Sequence, residues 1–312
     1  MNGGQNKLDL YFAGSTHKKS NAKLVERNCN RLFSQVINRS EMSKMAELKR
    51  SGEYTGKIFM DSGAFTAHRQ GIEVDVDDYI NYLNSLHDCL DVMAQVDTIP
   101  GQFGKPKTKE QLNEAPKLSW DNYLYMRERV EDVDKLTPIF HQGEDLYWLH
   151  NMLEETFNGK HVAYIGISPA NDKPQKEKNK FIDMCFRVIA KSSNPNVKTH
   201  AYGMTNLKVL ERYPFTSADS SSWAMCSVNG SIMSPYGVIP ISDRLSVTKS
   251  YRVLSDSQKA HIDKIIEDRG YKVEDLRQDY ICRQFWNIDY LQDWAESYTY
   301  KPVKVSRRSL LY

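Results

Sequence analysis

The regular alternation of short β-prone runs with longer helical segments constrains the fold of this chain more than any other feature. The runs are rich in apolar, β-branched and aromatic side chains, which is typical of buried strands. Seven of them are clear: residues 8–13, 58–61, 91–96, 136–140, 162–167, 197–202 and 215–218. Residues 232–241 are the candidate for an eighth strand. Strands that alternate with helices pair in parallel through helical crossovers.

Eight such units in about 250 residues favour an α/β fold of the (β/α)8 TIM-barrel type. The alternative is an open doubly wound sheet, but the first strand–helix turn lacks the Gly-rich phosphate-binding pattern of that fold. We therefore expect one TIM-barrel catalytic domain over residues 1–312, with a C-terminal helical extension at 255–312. Helices are predicted at residues 20–36, 41–50, 76–90, 119–133, 145–157, 205–212, 255–269 and 274–297, and a polar loop at 101–117. The lysine-rich residues 173–180 are predicted to lead into a further helix that runs through Ala190.

Composition narrows the class of protein only moderately. The 312 residues carry a formal net charge of +2, which is compatible with a nucleic-acid partner or with a small-molecule one. The five cysteines are odd in number and widely spaced, which favours reduced thiols over a disulfide framework. The chain has no apolar run long enough for a membrane span and no apolar signal core near Met1. We expect a cytoplasmic protein, in the host cytoplasm if a phage encodes it.

Polar residues follow the carboxyl ends of several predicted strands, which is where the active site of a (β/α)8 barrel lies. Each carboxylate could instead be an ordinary helix N-cap, since Asp begins many strand–helix loops. The residues at these ends are Asp61, Asp97, Gln142, Gly166, Gly203 and Asp219. Three carboxylates and an amide are therefore expected to converge on one mouth of the sheet.

Five segments between about residues 57 and 223 resemble, in order and rough spacing, the tRNA-guanine transglycosylase superfamily. Asp61-Ser62-Gly63-Ala64-Phe65 is similar to the Asp-Ser-Gly-Gly-aromatic motif of that superfamily. The other four segments are Val92–Asp97, Ile139–Gly143, Tyr164–Ser168, and His200–Met204 followed by Phe215–Asp219. Each segment is weak evidence alone, but five in register are fairly specific.

The resemblance implies exchange of a base in a nucleic acid through a covalent intermediate. Asp219 would be the nucleophile that attacks C1′ of a guanosine nucleotide and displaces guanine. Asp61 would be the general acid/base that protonates the leaving guanine and deprotonates the incoming 7-deazaguanine. Two carboxyls in one pocket tend to have separated pKa values, which suits two different roles.

The resemblance also implies a set of base-binding residues. Asp97 would accept hydrogen bonds from the Watson–Crick edge of the base, and the rings of Phe65 and Tyr202 would stack on its faces. For both rings, ordinary packing in the barrel is the alternative. The full base-binding set is Asp97, Gln142, Gly143, Gly166, Phe65, Ser62 and Tyr202.

The chain departs from the tRNA enzymes in lacking their zinc-binding cysteine cluster, because only Cys226 and Cys282 follow Asp219. We expect no zinc and no other cofactor. A compact chain without that cluster is most similar to the zinc-free DpdA-type DNA-guanine transglycosylases of phages and bacteria. The expected partners are DNA and a free 7-deazaguanine base. The nitrile-bearing base preQ0 is expected, because an aminomethyl base would favour an extra carboxylate and no acidic residue closely follows Gly166.

Basic residues in three segments are candidate phosphate contacts, with a solvated lysine surface as the alternative. They are Lys105, Lys107, Lys109, Lys173, Lys176, Lys178, Arg307 and Arg308. Other functions stay open: a zinc-free tRNA-guanine transglycosylase, a non-catalytic nucleic-acid- or nucleobase-binding barrel, or a (β/α)8 glycoside hydrolase. Association into a homodimer is also left open by the sequence.

Overall fold

A computed structural model describes residues 7–14, 17–204, 206–245 and 250–300. The strands are β1 Asp9–Phe12, β2 Arg31–Ser34, β3 Ile58–Asp61, β4 Val92–Ala94, β5 Leu136–Thr137, β6 Ile139–His141, β7 Thr156–Phe157, β8 Lys160–His161, β9 Tyr164–Ser168, β10 Lys198–Ala201, β11 Ser217–Ser220, β12 Ser231–Ser234 and β13 Gly237–Pro240. The helices are α1 Lys18–Glu26, α2 Gln35–Ser51, α3 Ala64–Gln70, α4 Val76–Ser85, α5 Lys109–Arg127, α6 Leu146–Glu154, α7 Gln175–Ile189, α8 Leu207–Arg212, α9 Ser222–Val228, α10 Asp256–Glu267, α11 Val273–Gln278 and α12 Tyr280–Glu296.

The chain divides into two compact units. Among the described residues, the first holds residues 7–11, 30–219 and 299–300. The second holds residues 12–29 and 220–298, so it begins upstream of residue 255, where the helical extension is predicted to start. The single catalytic domain over residues 1–312 stays a prediction.

The first unit is built on a nine-stranded, nearly closed sheet with the strand order β5-β4-β3-β2-β1-β11-β10-β9-β6. The described registers are parallel, for β2 with β3, β3 with β4, β4 with β5, β6 with β9, β9 with β10 and β10 with β11. The two ends of this order, β5 and β6, are separated in the chain by Pro138 alone. Proline has no N–H to donate to a ladder, and the Pro138 carbonyl accepts the Gly166 N–H at 2.8 Å.

The interior of this sheet is filled by large side chains from several strands. Tyr11, Phe59, Val92, Ala94, Ile139 and Tyr164 form one buried cluster, with Leu32 and Tyr202 packed against it. The hydroxyl of Tyr79, on α4, donates to the carbonyls of Met60 and Ala94 and so ties α4 to β3 and β4. This packed interior holds the strand ends, and the polar residues on them, in fixed positions.

The second unit has its own apolar core and a polar framework around α12. Ile232, Ile241, Tyr251, Ile262, Ile266, Leu276 and Trp286 form the core cluster. The Trp286 indole N–H donates to the Met233 carbonyl at 2.7 Å, and Arg27 pairs with Asp289 and Asp293 of α12.

Within the described ranges, every helix is too short or too polar to span a lipid bilayer.

The structure corrects the predicted helix over residues 20–36. α1 ends at Glu26, Asn28 takes a left-handed conformation with φ 48°, and the chain then forms β2 instead of continuing the helix. The apolar residues Cys29, Leu32 and Val36 match helical spacing by coincidence. Arg31–Ser34 is one of the strands of the main sheet, paired with β3.

The eighth strand predicted within residues 232–241 is not part of the main sheet. This segment forms the antiparallel hairpin β12–β13 in the second unit, with Ser231 opposite Pro240. The two-residue turn Pro235-Tyr236 explains the difference, because it reverses the chain in the middle of the apolar run, and Gly237, with φ 103°, then begins β13.

The predicted loop at residues 101–117 is a helix over its second half. α5 begins at Lys109, ten residues before the predicted helix start at Ser119. Thr108 caps this helix, with a capping box that it forms with Gln111, and Pro116 is accommodated inside the helix. The local capping signal therefore outweighs the tendency of proline to end a helix.

Candidate active site

Asp61 is the last residue of β3, as the sequence predicts. Its Oδ2 accepts the Gly63 N–H at 2.9 Å, and Gly63 has φ 73°. A Cβ at Gly63 would lie 2.4 Å from Ser34 Oγ, so only glycine fits this turn. Burial, together with the charges of Asp97 and Asp219, raises the pKa of Asp61 to about 7, although the Gly63 hydrogen bond acts to lower it. Asp61 is thus a carboxyl that exchanges its proton near neutral pH.

Asp219 lies within β11 and has one carboxylate oxygen held by two neighbours. Oδ1 accepts the Gly203 N–H at 2.8 Å and lies 3.2 Å from Nε2 of His200. Asp219 is 8% exposed. Within the described part of the chain, its Oδ2 has no hydrogen-bond partner. The carboxylate is therefore fixed through one oxygen while the other remains available.

His200 is fully buried and links Asp219 to a chain of hydroxyls. Its Nδ1 lies 2.5 Å from Ser217 Oγ, which in turn hydrogen-bonds the Tyr164 hydroxyl. The imidazole packs against the rings of Phe59 and Tyr202, with centroids 4.6 and 4.5 Å away. The ring has little freedom to move, so the orientation of Asp219 depends on it.

Asp97 follows β4 and is held by two side chains. Gln95 Nε2 donates to its Oδ1 at 2.8 Å, and His141 Nε2 lies 3.1 Å from its Oδ2. Burial lowers the pKa of His141, but the charge and hydrogen bond of Asp97 outweigh it and raise that pKa to about 9. Burial also raises the pKa of Glu144, which accepts the His141 N–H, to about 7. Asp97 and His141 thus form an ion pair beside the site.

Tyr202 occupies the space above Gly166. A Cβ at Gly166 would lie 2.4 Å from Tyr202 Cε2 and 3.2 Å from Ile139 Cγ1. The Tyr202 hydroxyl is buried and has no hydrogen-bond partner in the described ranges. Burial and the charges of Asp61, Asp97 and Asp219 raise the pKa of Tyr202 well above its usual value. Its neutral hydroxyl is therefore a donor close to three carboxylates.

The remaining predicted base-binding residues differ in their surroundings. Ser62 is buried, whereas Phe65 on α3 is 57% exposed. Gln142 uses its side-chain oxygen to accept the Ala170 N–H at 3.1 Å, and Gly143 has φ 113° at an exposed position. Their contacts with a base stay predictions.

The predicted phosphate-binding lysines fall into two described groups. Lys105 and Lys107 are exposed on the loop before α5, and Lys109 is the first residue of that helix. Lys173 and Lys176 are exposed around the start of α7, and Lys178 donates to the Asn171 carbonyl at 3.3 Å. Arg307 and Arg308 lie outside the described residues.

Sequence reasoning passed over four residues that the structure brings to this site: His200, Ser217, His141 and Glu144. Two of them had a detectable signal. His200 on β10 and Tyr202 directly after it alternate in the sequence as Ser217 and Asp219 do on β11, so polar side chains repeat at every second position along two adjacent strands. For His141 the role comes from its contact with Asp97, which is distant in sequence, and Glu144 accepts the backbone N–H of His141.

Within the described ranges, no three His, Cys, Asp or Glu side chains are grouped so that they could hold a metal ion. The expected absence of zinc stays a prediction. No protein-family model matches this chain, and no curated protein sequence matches it either. The function proposed below therefore rests on the geometry of the site and on the segment resemblance.

Proposed function

We propose that this protein is a DNA-guanine transglycosylase that exchanges guanine in DNA for a 7-deazaguanine base such as preQ0. The observation that carries the proposal is the asymmetric environment of Asp219. Its Oδ1 is held by Gly203 and His200, its Oδ2 is unengaged within the described residues, and a second carboxyl, Asp61, lies close enough to influence it electrostatically. A nucleophile and a separate proton carrier are the two groups that base exchange requires.

In the proposed reaction, Asp219 Oδ2 forms a bond to C1′ of the target nucleotide while the bond from C1′ to N9 of guanine breaks. The protonated Asp61 carboxyl gives its proton to the leaving guanine. Ionised Asp61 then accepts the N9 proton of the incoming 7-deazaguanine, whose N9 forms the new bond to C1′ and releases Asp219. A pKa of about 7 for Asp61 suits a group that must both donate and accept a proton.

The base is proposed to lie between Tyr202 and the residues that follow β4 and β6. Asp97 is positioned by Gln95 and His141 to accept hydrogen bonds from the base edge. Gln142 retains its amide N–H donors, since its oxygen already accepts from Ala170. The Tyr202 hydroxyl adds a donor without a partner in the described ranges.

A (β/α)8 barrel is proposed as the finer description of the first unit. Its support is that β5 and β6 are a single extended segment interrupted at Pro138, which reduces the nine strands to eight.

Target nucleotides in such a site must leave the duplex stack, at a cost of roughly a few kcal/mol.

The test incubates the full-length protein with duplex DNA, single-stranded DNA or tRNA and labelled guanine or preQ0. Label should enter DNA with the wild type and fail to enter with Asp219→Ala or Asp61→Ala. Asp121→Ala, an exposed carboxylate of α5, is the matched control and should retain activity. Label in tRNA alone would favour the tRNA enzyme, and retention of incorporation by Asp219→Ala would overturn the mechanism.

A further inference from the structure

Two exposed aromatic rings flank an exposed arginine. Phe65 on α3 is 57% exposed, and Phe103 in the loop before α5 is 55% exposed. The Arg69 guanidinium carbon lies 6.0 Å from the centroid of Phe65 and 5.3 Å from that of Phe103. The His68 ring also contacts Phe103, with centroids 6.4 Å apart. We refer to Phe65, His68, Arg69 and Phe103 as the aromatic cluster.

The aromatic cluster is connected to the site by two short stretches of chain. Phe65 follows Asp61 closely on the same strand–helix turn, and Phe103 lies in the loop that begins after Asp97. The charge of Lys107, at the far end of that loop, lowers the pKa of His141. The loop contains a turn in which the Lys105 N–H donates to the Gln102 carbonyl at 3.1 Å.

The composition of the cluster fits one class of partner. Proteins that bind single-stranded nucleic acid combine aromatic rings, on which bases stack, with cations that follow the phosphates. Here two rings and a guanidinium provide stacking faces, and exposed Lys105 and Lys107 provide positive charge on the same loop. An apolar protein partner would not require the basic side chains beside the rings.

We propose that the aromatic cluster is a stacking surface for unpaired nucleobases next to the exchanged nucleotide, with Lys105 and Lys107 binding phosphates of the same strand. The proposal rests on the proposed function, because a base exchanged in this site has to be unpaired first. It adds the recognition of neighbouring bases by Phe103 and Arg69, to which the sequence resemblance gives no role.

The experiment measures binding of fluorescein-labelled 12-nucleotide single-stranded DNA, the same sequence as RNA, and its DNA duplex by fluorescence anisotropy. All proteins are full length and carry Asp219→Asn, and no free base is added, so that binding is separated from turnover. Phe103→Ala should weaken single-strand binding by roughly ten-fold, the size of one base–aromatic stack. Phe103→Trp should restore it, and Tyr125→Ala, an exposed ring of α5, should leave it unchanged.

The salt dependence separates stacking from charge. Lys105→Ala and Lys107→Ala should each reduce the slope of log affinity against log salt by about 0.7 per lost phosphate contact. Phe103→Ala should lower affinity without changing that slope. Tighter binding of RNA than of DNA would identify RNA as the bound strand and would still support a stacking surface at the aromatic cluster.

Failure of this inference is distinguishable from failure of the proposed function. If base exchange is absent but Phe103→Ala still weakens single-strand binding, the stacking surface is supported and the proposed reaction is overturned. If exchange is present while Phe103→Ala and Arg69→Ala bind all three nucleic acids as the parent does, the surface is overturned. Absence of binding to every nucleic acid overturns both.

Discussion

His200 and Asp219 face each other across two adjacent strands, with His200 Nε2 3.2 Å from Asp219 Oδ1. The same oxygen accepts the Gly203 N–H, so two neighbours fix one edge of the carboxylate. A nucleophile gains from such fixation, because it does not have to be oriented again in each turnover. His200 is therefore a positioning residue whose effect is exerted through Asp219.

Replacing His200 by Leu should lower the rate of base exchange by about 10- to 100-fold, the usual cost of losing a partner that orients a reacting group. The KM for the polymer should change little, because His200 is fully buried and does not contact it. Steady-state exchange assays at several DNA concentrations separate kcat from KM. His200→Gln, which keeps a donor, should recover part of the rate. An equal loss in kcat for the Gln and Leu variants would contradict this role.

Asp61 should make the protein less stable as the pH rises. Its folded-state pKa of about 7 lies above the unfolded value, so the folded carboxyl holds a proton that the unfolded chain releases between about pH 4 and 7. The stability present below pH 4 is lost as the pH rises through 7. Asp61→Asn should therefore stabilise the protein by up to about 4 kcal/mol at pH 8 and have little effect at pH 4.

Urea denaturation of the wild type and Asp61→Asn at pH 4, 6 and 8 measures this difference. Asp121→Asn is the matched control, because Asp121 is exposed on α5. A stability gain from Asp61→Asn that is the same at all three pH values would show that burial does not raise the pKa of Asp61.

The Asp97–His141 pair also loses its stabilisation as the pH rises, but at higher pH than Asp61. His141 has its pKa raised to about 9, so the stabilisation from this pair is complete below about pH 6.5 and is lost as the pH rises through 9. Asp97→Asn should lower the His141 pKa by more than one unit, since burial would then act without its counterion. NMR titration of the imidazole Cε1–H signal measures it.

Lys107→Ala serves as the control for the His141 titration, because Lys107 lowers the pKa of His141 and its removal should raise that pKa slightly. A His141 pKa that is the same in Asp97→Asn as in the wild type would refute the ion pair.

Gly166 and Tyr202 should be energetically coupled. Gly166→Ala places a Cβ 2.4 Å from Tyr202 Cε2 and should destabilise the fold by about 1–3 kcal/mol through overpacking. In a Tyr202→Leu background the same change should cost less, because the ring that it meets is gone. A double-mutant cycle by chemical denaturation measures the coupling. Additive effects of the two substitutions would show that the ring does not occupy this space.

Local pattern was sufficient for most of the sheet and for the strand-end carboxylates. Asp61 ends β3 and Asp97 follows β4, as the apolar runs predict, whereas Asp219 lies inside β11 rather than after its strand. Pattern failed for β2 because a four-residue strand has too few positions to distinguish its period from that of a helix. It failed for residues 232–241 because an apolar run alone does not reveal which sheet its strand joins.

The sequence by itself determined the alternating α/β architecture and the position of the carboxylates, because periodicity and turn residues act over a few neighbouring positions. Only the tertiary structure decided what those carboxylates contact. Parallel register places Gly166 beside His200 and His200 beside Ser217, although these residues are far apart in the chain. Burial then raises the pKa of Asp61. This loss of hydration depends on the packed interior of the sheet rather than on the residues next to Asp61 in the sequence.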